Sequence, residues 1–412
     1  MKKILFDLTA TQPSISSKRH GGGRYGEVVL LRILERGIPV VCYYDSSRWL
    51  NPTVKAELKK KDIELYDTRE KSVQDIVCEC KPSLLYTALI LDLRNAHDIR
   101  CPILFTWHGI RDDETPLDPF FWRYSRIRFK GRVRFLLKKY LPSIGYGKKR
   151  HENVSLLNNE RKLFVMVSQH SRCSLLSYYP EAKGKNIPVF YSPSTSSDLQ
   201  MARKYGDKYF LIVSGNRWSK NSLRAVMAFD RLLSMGYLSD YKMRITGAND
   251  ASVYRYKIKH PEHFIFMGYV EDQELEQLYH DAYCLVYPSL NEGFGYPPLE
   301  AMHYGTPVIA SAITSIPEVC GDAAVYFSPF SIEEIMARML MMSQPETHQE
   351  YSGRSLERYQ IMTRRQGEDL DAFIDYMLEL AKNHSVSVSS NMTGGGKNEV
   401  ISQNTNTLRP CA

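Results

Sequence analysis

Two glutamates and two glycines lie close together within residues 283–312. Glu292 directly precedes Gly293, Gly295 comes two residues after that, and seven residues separate Glu292 from Glu300. Because glycine has no Cβ, such a backbone can approach a ligand closely and direct successive N–H groups at an anion. Carboxylates beside an anion site suit sugar hydroxyls, or the positive charge that develops on a sugar ring. The pattern therefore indicates a pocket that holds a phosphate and a sugar together.

A predicted β-loop-α-β unit positions this loop. The apolar run 283–287 predicts a buried strand, Pro297 and Pro298 open a helix that stops at Gly305, and residues 308–312 predict a second strand. Two parallel strands joined through a helix place the loop at the carboxyl edge of the sheet, where open α/β folds bind ligands. The helix N-terminus directs its N–H groups and positive dipole end into the same space. We therefore expect an anion at this edge.

Both glutamates also have a purely structural interpretation. Ser289 and Glu292 have the spacing of a capping box, and an acid such as Glu300 in a first helical turn suits the helix dipole of any protein. The cap is the weaker alternative, because two glycines would fall in its first turn and glycine is a poor helix residue.

The first half of the chain supplies a second glycine-rich stretch. Gly22 and Gly23 belong to residues 21–26, which contain four glycines and precede a helix predicted over 28–36. More than ten residues separate this stretch from the first predicted strand, 4–8. A dinucleotide fingerprint requires the glycine turn to follow its strand directly, so we do not expect a dinucleotide cofactor. A glycine loop that feeds a helix N-terminus still suits phosphate or sugar.

Two cations and a histidine follow other predicted strands. Arg217 and Lys220 lie between a strand and a helix, in a loop that also contains Gly215. Cations at such a junction would neutralise a departing diphosphate, a task that otherwise requires a divalent metal. His108 follows the predicted strand 103–106 and is expected to point into the same cleft. The alternatives are a surface position for each cation and a structural role for the histidine.

Residues 292–311, EGFGYPPLEAMHYGTPVIAS, resemble the signature of glycosyltransferase family 4. This family comprises retaining, nucleotide-sugar-dependent transferases with the GT-B fold, and its paired glutamates match in order and spacing. The likeness continues through residues 315–324 and, upstream, through 266–275. It covers the second half of the chain well and the first half in patches.

The resemblance implies an α/β protein in which two Rossmann-like domains face each other across a cleft. Residues 1–192 would form the acceptor-side domain, and residues 193–354 the domain that binds the nucleotide sugar. Helices within 355–382 would cross back to the first domain. Residues 383–412 are rich in Ser, Asn, Thr and Gly, a composition that predicts a disordered tail.

The resemblance also implies roles for individual residues. Glu292 would lie beside the donor sugar, Lys220 and Arg217 would stabilise the leaving diphosphate, His108 would reach the sugar hydroxyls, and Glu300 would bind the ribose. Arg217 is closer to the lysine than in the commonest family pattern. The other expected donor-binding residues are Gly22, Gly23, Gly215, Tyr269, Val270, Gly293, Phe294, Gly295, Pro298 and Leu299.

The implied reaction transfers a hexose from GDP-mannose or a UDP-hexose to a saccharide or lipid-linked acceptor, with retention of configuration. It would need no metal or other cofactor, and it would belong to bacterial surface polysaccharide or lipopolysaccharide synthesis. Two alternatives stay open. One is a nucleotide-sugar epimerase on the same fold, and the other is a non-catalytic membrane-docking protein of polysaccharide assembly.

Residues 120–151 contain eleven lysines and arginines and no acid, interleaved with aromatic and aliphatic residues. Such a segment is typical of a solvated helix face, a nucleic-acid patch, or a surface that lies on an anionic membrane. No nucleic-acid fold signature accompanies it, so we expect no nucleic-acid partner. Docking to an anionic membrane is the preferred interpretation, and a solvated face is the alternative.

Composition sets the remaining expectations. A chain of 412 residues with 43% hydrophobic residues can bury the cores of two or three domains. Its apolar runs are too short to span a bilayer, and no N-terminal signal pattern is visible. The eight cysteines are scattered without a Cys-x-x-Cys pair, which favours free thiols, a reducing cytoplasm and no zinc site. We therefore predict a cytoplasmic protein, at most at the inner face of the membrane.

Overall fold

The computed structural model describes residues 3–13, 21–96, 98–124, 128–194, 208–248 and 258–390. Within them the chain forms two parallel sheets of six strands each. The strand orders are β3-β2-β1-β4-β5-β6 and β12-β11-β10-β7-β8-β9. The strands of the first sheet, β1 to β6, are Ile4–Asp7, Val40–Tyr44, Leu65–Asp67, Leu84–Thr87, Ile103–Trp107 and Lys162–Met166. Those of the second, β7 to β12, are Lys208–Ile212, Tyr241–Ile245, Phe264–Phe266, Cys284–Tyr287, Val308–Ser311 and Ala324–Phe327.

Helices cover both faces of the sheets. Helices α1 to α7 are Gly21–Glu35, Pro52–Lys60, Val73–Cys80, Arg111–Glu114, Arg128–Tyr140, Pro142–Leu157 and Gln169–Tyr178. Helices α8 to α13 are Ser222–Ser234, Asp272–Asp281, Tyr296–Met302, Ile316–Cys320, Ile332–Met342 and Pro345–Ser390. Since helices flank both faces, the central strands β1, β4, β5, β10 and β11 are buried along their whole length, which explains their continuous apolar sequences.

Helix α13 crosses back to the first domain, as predicted. Its Asp371 accepts hydrogen bonds from Arg32 of α1 at 2.7 and 2.8 Å, and its Phe373 ring lies 5.5 Å from the Tyr86 ring of β4. One continuous hydrophobic cluster contains buried residues of both domains and of α13. The long helix therefore holds the two domains together.

Helix α1 begins at Gly21, seven residues before the predicted start. The glycine-rich stretch is helical because α1 lies very close to the carboxyl end of the first sheet. A Cβ added to Gly26 would come within 2.7 Å of Thr11 Cγ2 and 2.8 Å of Ala88 Cβ, and one added to Gly22 within 2.9 Å of Leu89. Tertiary packing thus outweighs the low helix propensity of glycine here.

Other boundaries differ from the prediction. Near the end of the first domain, Val189 makes an isolated bridge with Met166. Helix α13 starts at Pro345 rather than near 355, and it includes residues 383–390 of the predicted tail, where no proline or glycine interrupts the helix. Residues 195–207, and residues 391–412 of the predicted tail, lie outside the described residues. Within the described part of the chain, no helix is both long and apolar enough to cross a membrane.

Candidate active site

The Lys220–Glu292 ion pair is the centre of the candidate site. Lys220 ends a single 3-10 turn between β7 and α8, and Glu292 lies in the loop between β10 and α10. Because β7 and β10 are neighbouring parallel strands, the loops that follow them meet at the carboxyl edge of the second sheet. Lys220 Nζ donates to Glu292 Oε1 at 2.6 Å, and the two side chains are only 14% and 9% exposed.

Two further hydroxyls surround this pair. Ser289 Oγ donates to Glu292 Oε1 at 2.6 Å, and Lys220 Nζ lies 3.3 Å from the Tyr287 hydroxyl. The capping-box alternative is therefore wrong, because the Glu292 N–H donates to Thr314 Oγ1 and not to Ser289. Glu292 is thus held by side chains from three segments of the second domain.

Electrostatics keep Glu292 ionised. Burial acts to raise the pKa of its carboxyl, but the nearby positive charges of Lys220 and Arg111 hold that pKa below its ordinary value. Arg111 begins α4 of the first domain, so a cation from across the cleft contributes to this field. The carboxylate therefore acts as a fixed negative charge that orients Lys220.

Glu300 occupies a different environment in α10. Its Oε2 accepts a hydrogen bond from the Tyr279 hydroxyl at 2.7 Å, and its Oε1 lies 3.7 Å from the Arg24 guanidinium of α1. Burial raises the pKa of the Glu300 carboxyl above its ordinary value, although the charge of Arg24 opposes the shift. Arg24 also pairs with Asp272 of α9, so Glu300 lies where the two domains meet.

The two loop glycines serve different geometric needs. A Cβ on Gly293 would lie 1.8 Å from the backbone oxygen of His108, and the Gly293 carbonyl accepts hydrogen bonds from Ser168 Oγ at 2.7 Å and Ser171 Oγ at 3.1 Å. Only glycine fits this approach between the domains. Gly295 instead has a φ of +101°, a conformation that side chains disfavour.

His108 lies at the carboxyl end of β5 and faces the cleft edge. Its Nε2 is 3.0 Å from the Ala88 carbonyl, and its ring makes an edge contact with Tyr25 at 5.0 Å. It also lines a cavity of about 190 Å³ in the first domain. Trp107, Arg111 and residues of α6 contribute to the same cavity.

The other predicted donor residues are distributed around this centre. Gly215 is buried in the loop after β7, where its N–H donates to Thr246 at 2.8 Å. Arg217 is exposed and begins the turn that carries Lys220, without a side-chain hydrogen bond to the described residues. Tyr269 is 54% exposed after β9, and its neighbour Val270 packs on the core. The remaining predicted donor residues lie in α1, in the loop between β10 and α10, and in α10, and all are buried or half-buried. They are Gly22, Gly23, Phe294, Pro298 and Leu299.

Pro297 and Pro298 restrict the backbone donors at the start of α10. The helix has seven residues, from Tyr296 to Met302, and prolines occupy its second and third positions. Since proline has no N–H, the unpaired donors of the first turn are only those of Gly295 and Tyr296. The start of α10 therefore offers an anion fewer backbone donors than a regular helix N-terminus does.

Several residues of the site were missed by sequence reasoning. Arg111 stands three residues after His108, and Arg24 lies inside the glycine-rich stretch, so their positions in the chain were available signals. Glu114 and Asn291 join the domains through a 2.6 Å hydrogen bond, for which the sequence gives no local signal. Among the described residues, no three His, Cys, Asp or Glu side chains are grouped as metal ligands.

Residues 197–355 match the family described as glycosyl transferases group 1. The match covers most of the second domain. Lys220, Glu292 and Glu300 all lie within the glycosyl transferases group 1 domain, whereas His108, Arg111 and Arg24 reach it from the first domain.

Two curated relatives extend the comparison. The chain is 30% identical over 235 residues to O-antigen chain mannosyltransferase B of Escherichia coli, covering 54% of this chain and 58% of that protein. It is 32% identical over 231 residues to O-antigen chain mannosyltransferase RfbU of Salmonella typhimurium, covering 54% of this chain and 56% of that protein. The chain thus spans little more than half the length of these relatives.

A solved structure shows the fold over most of the chain. A glycosyltransferase from Rickettsia africae ESF-5 superimposes with a TM-score of 0.58 and 16% identity, over 93% of this chain and 99% of that one. At this identity the likeness concerns the fold alone. Together with the two parallel six-stranded sheets, it establishes the GT-B fold.

Proposed function

We propose that this protein is a retaining glycosyltransferase that moves a mannosyl residue, or another hexose, from a nucleoside diphosphate to an acceptor hydroxyl. The observation that carries the proposal is the buried 2.6 Å Lys220–Glu292 pair, at the carboxyl edge of a glycosyl transferases group 1 domain. Both relatives described above are named mannosyltransferases, which favours GDP-mannose over a UDP-hexose as donor.

In the proposed reaction the bond between the sugar C1 and the diphosphate oxygen breaks, and the acceptor oxygen bonds to C1 on the same face. The acceptor proton passes to the departing diphosphate. Lys220 would stabilise the charge that develops on that leaving group, which is the main electrostatic demand of the step, and Arg217 would add a second positive charge. Glu292 would hold the Lys220 ammonium group in position.

The remaining site residues have supporting roles in this proposal. Glu300 would bind the ribose hydroxyls, and Arg24 would close the cleft over that end of the donor. His108 would contact the donor sugar from the first domain. We further propose that the reaction needs no metal, because Lys220 and Arg217 provide the positive charge that a divalent ion would otherwise supply.

We propose a saccharide or lipid-linked acceptor in bacterial surface polysaccharide assembly, because both relatives are named for O-antigen chain synthesis. We assign the reaction to the cytoplasm, at the inner face of the membrane. Seven cysteines are free thiols in the described residues, which suits a reducing compartment.

The proposal is tested by incubating the protein with GDP-mannose or UDP-glucose, EDTA and a panel of alkyl mannosides. We expect release of the nucleoside diphosphate and a new glycoside whose anomeric configuration, read by NMR, matches that of the donor. A changed donor sugar without acceptor would instead identify an epimerase. No turnover of any donor would favour a non-catalytic protein.

A further inference from the structure

Helix α5 exposes a hydrophobic face to solvent. Its apolar residues recur at intervals of three and four, which places them on one side of a helix. The five side chains, with their exposed fractions, are Phe129 (76%), Val133 (40%), Leu136 (50%), Leu137 (48%) and Tyr140 (68%). A contiguous exposed face of this kind marks a site of interaction with a partner or a membrane.

The opposite side of α5 is attached to the protein. Gly131 is buried, and the Arg132 guanidinium lies over the Trp122 ring at 4.3 Å. The segment that contains Trp122 is itself anchored on the second domain, since the Phe121 ring contacts Trp218 at 5.1 Å and the Tyr124 hydroxyl accepts from the Leu223 N–H at 2.8 Å. The segment that precedes α5 is therefore fixed to the second domain, and the apolar face of α5 is exposed to solvent.

Positive charge borders this face on both sides. In helical projection Lys130 and Arg134 lie on one flank of the apolar strip and Lys139 on the other, and all three are exposed. No acid occurs in residues 120–151 to balance them. An apolar strip with exposed cations on both sides is the pattern of a helix that lies in the interface of an anionic bilayer.

We propose that α5 docks the protein on an anionic lipid bilayer. The apolar strip enters the boundary between head groups and acyl chains, and the flanking cations contact the lipid phosphates. A second copy of the chain fits this face poorly, because two acid-free helices would repel each other. A nucleic acid would use the cations but leave Phe129 and Leu136 in water.

Docking of α5 also affects how a lipid-linked acceptor reaches the site, an inference that rests on the function proposed above. Helix α6 starts two residues after α5, and its Lys149 and Asn153 line the cavity that contains His108. Because α6 follows α5 directly in the chain, we infer that docking of α5 places this wall of the cavity near the lipid surface. An acceptor carried on a lipid could then reach the cavity without leaving the bilayer.

Co-sedimentation of the full chain with lipid vesicles tests the proposal. We expect the protein to bind vesicles in which about a quarter of the lipid is phosphatidylglycerol and to bind phosphatidylcholine vesicles far more weakly. The triple variant Phe129→Ser, Leu136→Ser, Tyr140→Ser should lose roughly tenfold or more in partitioning. The charge variant Lys130→Gln, Arg134→Gln, Lys139→Gln should also lose binding.

Matched controls use exposed residues outside α5. The variant Met235→Ser, Tyr237→Ser removes exposed apolar side chains, and Lys59→Gln, Lys60→Gln removes exposed cations from α2. Both should bind vesicles as the unaltered protein does. Absence of binding to phosphatidylglycerol vesicles would overturn the proposal, and so would an apolar variant that binds normally. A dimer that the apolar variant converts to monomer would also overturn it, by identifying a self-interface.

An assay of donor turnover distinguishes failure of membrane docking from failure of the proposed enzyme activity. The α5 variants should release nucleoside diphosphate from a donor with a soluble acceptor as fast as the unaltered protein. A protein that binds vesicles but turns over no donor would contradict the proposed function and leave docking intact.

Discussion

One loop and one helical turn separate Glu292 from Glu300, yet their surroundings shift the pKa values of the two carboxyls in opposite directions. The charges of Lys220 and Arg111 hold the pKa of Glu292 below its ordinary value, whereas burial raises the pKa of Glu300. Such a divergence is common where two carboxyls have different tasks. It agrees with the different tasks proposed for the two residues, the orientation of Lys220 by Glu292 and ribose binding by Glu300.

Replacement of Lys220 tests whether its positive charge stabilises the leaving group or is merely one of the charges on the surface of the domain. We expect Lys220→Ala to reduce donor turnover roughly 10²- to 10³-fold, because the developing diphosphate charge loses its main partner. Steady-state release of nucleoside diphosphate measures this. Lys242→Ala, on β8 of the same domain, is the matched control and should leave turnover unchanged. Equal rates for the two variants would remove Lys220 from the mechanism.

The Glu292–Lys220 pair should also make stability depend on pH. A lowered carboxyl pKa contributes stability above the ordinary value of 4.5, and this contribution is lost as the pH falls through the lowered pKa. Glu292→Gln should therefore cost about 3 kcal/mol at neutral pH, since it leaves Lys220 buried and unpaired, and less in acid. Urea unfolding at both pH values measures the difference.

An exposed ion pair provides the comparison for that experiment. Glu333 pairs with Arg231, and the two side chains are 76% and 49% exposed. Because solvent screens such pairs, Glu333→Gln should change stability far less than Glu292→Gln. A pH-independent loss in Glu292→Gln would show that the carboxylate charge is not the stabilising feature.

At the scale of elements, close contact between backbones shapes the site. Gly293 meets the His108 carbonyl, and α1 packs on the sheet through Gly22 and Gly26. The β10-loop-α10-β11 unit was predictable, because its apolar runs, glycines and prolines are local signals. The early start of α1 was not, because it depends on contacts with Leu89 and Ala88, more than sixty residues away in the chain.

Gly293→Ala tests the close approach of the domains. The added Cβ would overlap a backbone oxygen that cannot move alone, so we expect a loss of about 1–3 kcal/mol and reduced turnover. Gly353→Ala in α13 meets no atom within 4 Å, and it should stabilise the protein by about 0.5–1 kcal/mol. Thermal and urea unfolding compare the two, and a neutral Gly293→Ala would argue against the contact with His108.

At the scale of the whole molecule, polar contacts between the domains assemble the site. Asp118 and Arg224 form a buried 2.7 Å ion pair between residues 106 positions apart in the chain. Glu318 of the second domain likewise accepts the backbone N–H groups of Gln169 and His170 at the start of α7. Contacts of this kind leave no local sequence pattern, so the sequence predicted both domains but not the polar contacts that join them.

The Asp118–Arg224 pair should matter for the stability of the assembled molecule. Arg224→Met should destabilise it by about 3 kcal/mol, because Asp118 would remain buried with its charge unpaired. Adding Asp118→Asn should restore much of the loss, and a double-mutant cycle in urea measures the coupling. Additive effects would mean that the two residues do not interact.

Calorimetric titration of GDP and UDP measures whether Lys220 and the loop between β10 and α10 bind a nucleoside diphosphate without metal. We expect one nucleotide to bind equally well with and without EDTA, and Lys220→Ala to weaken it roughly tenfold or more. If neither nucleotide binds, or if EDTA abolishes binding, metal-free diphosphate binding at Lys220 is contradicted.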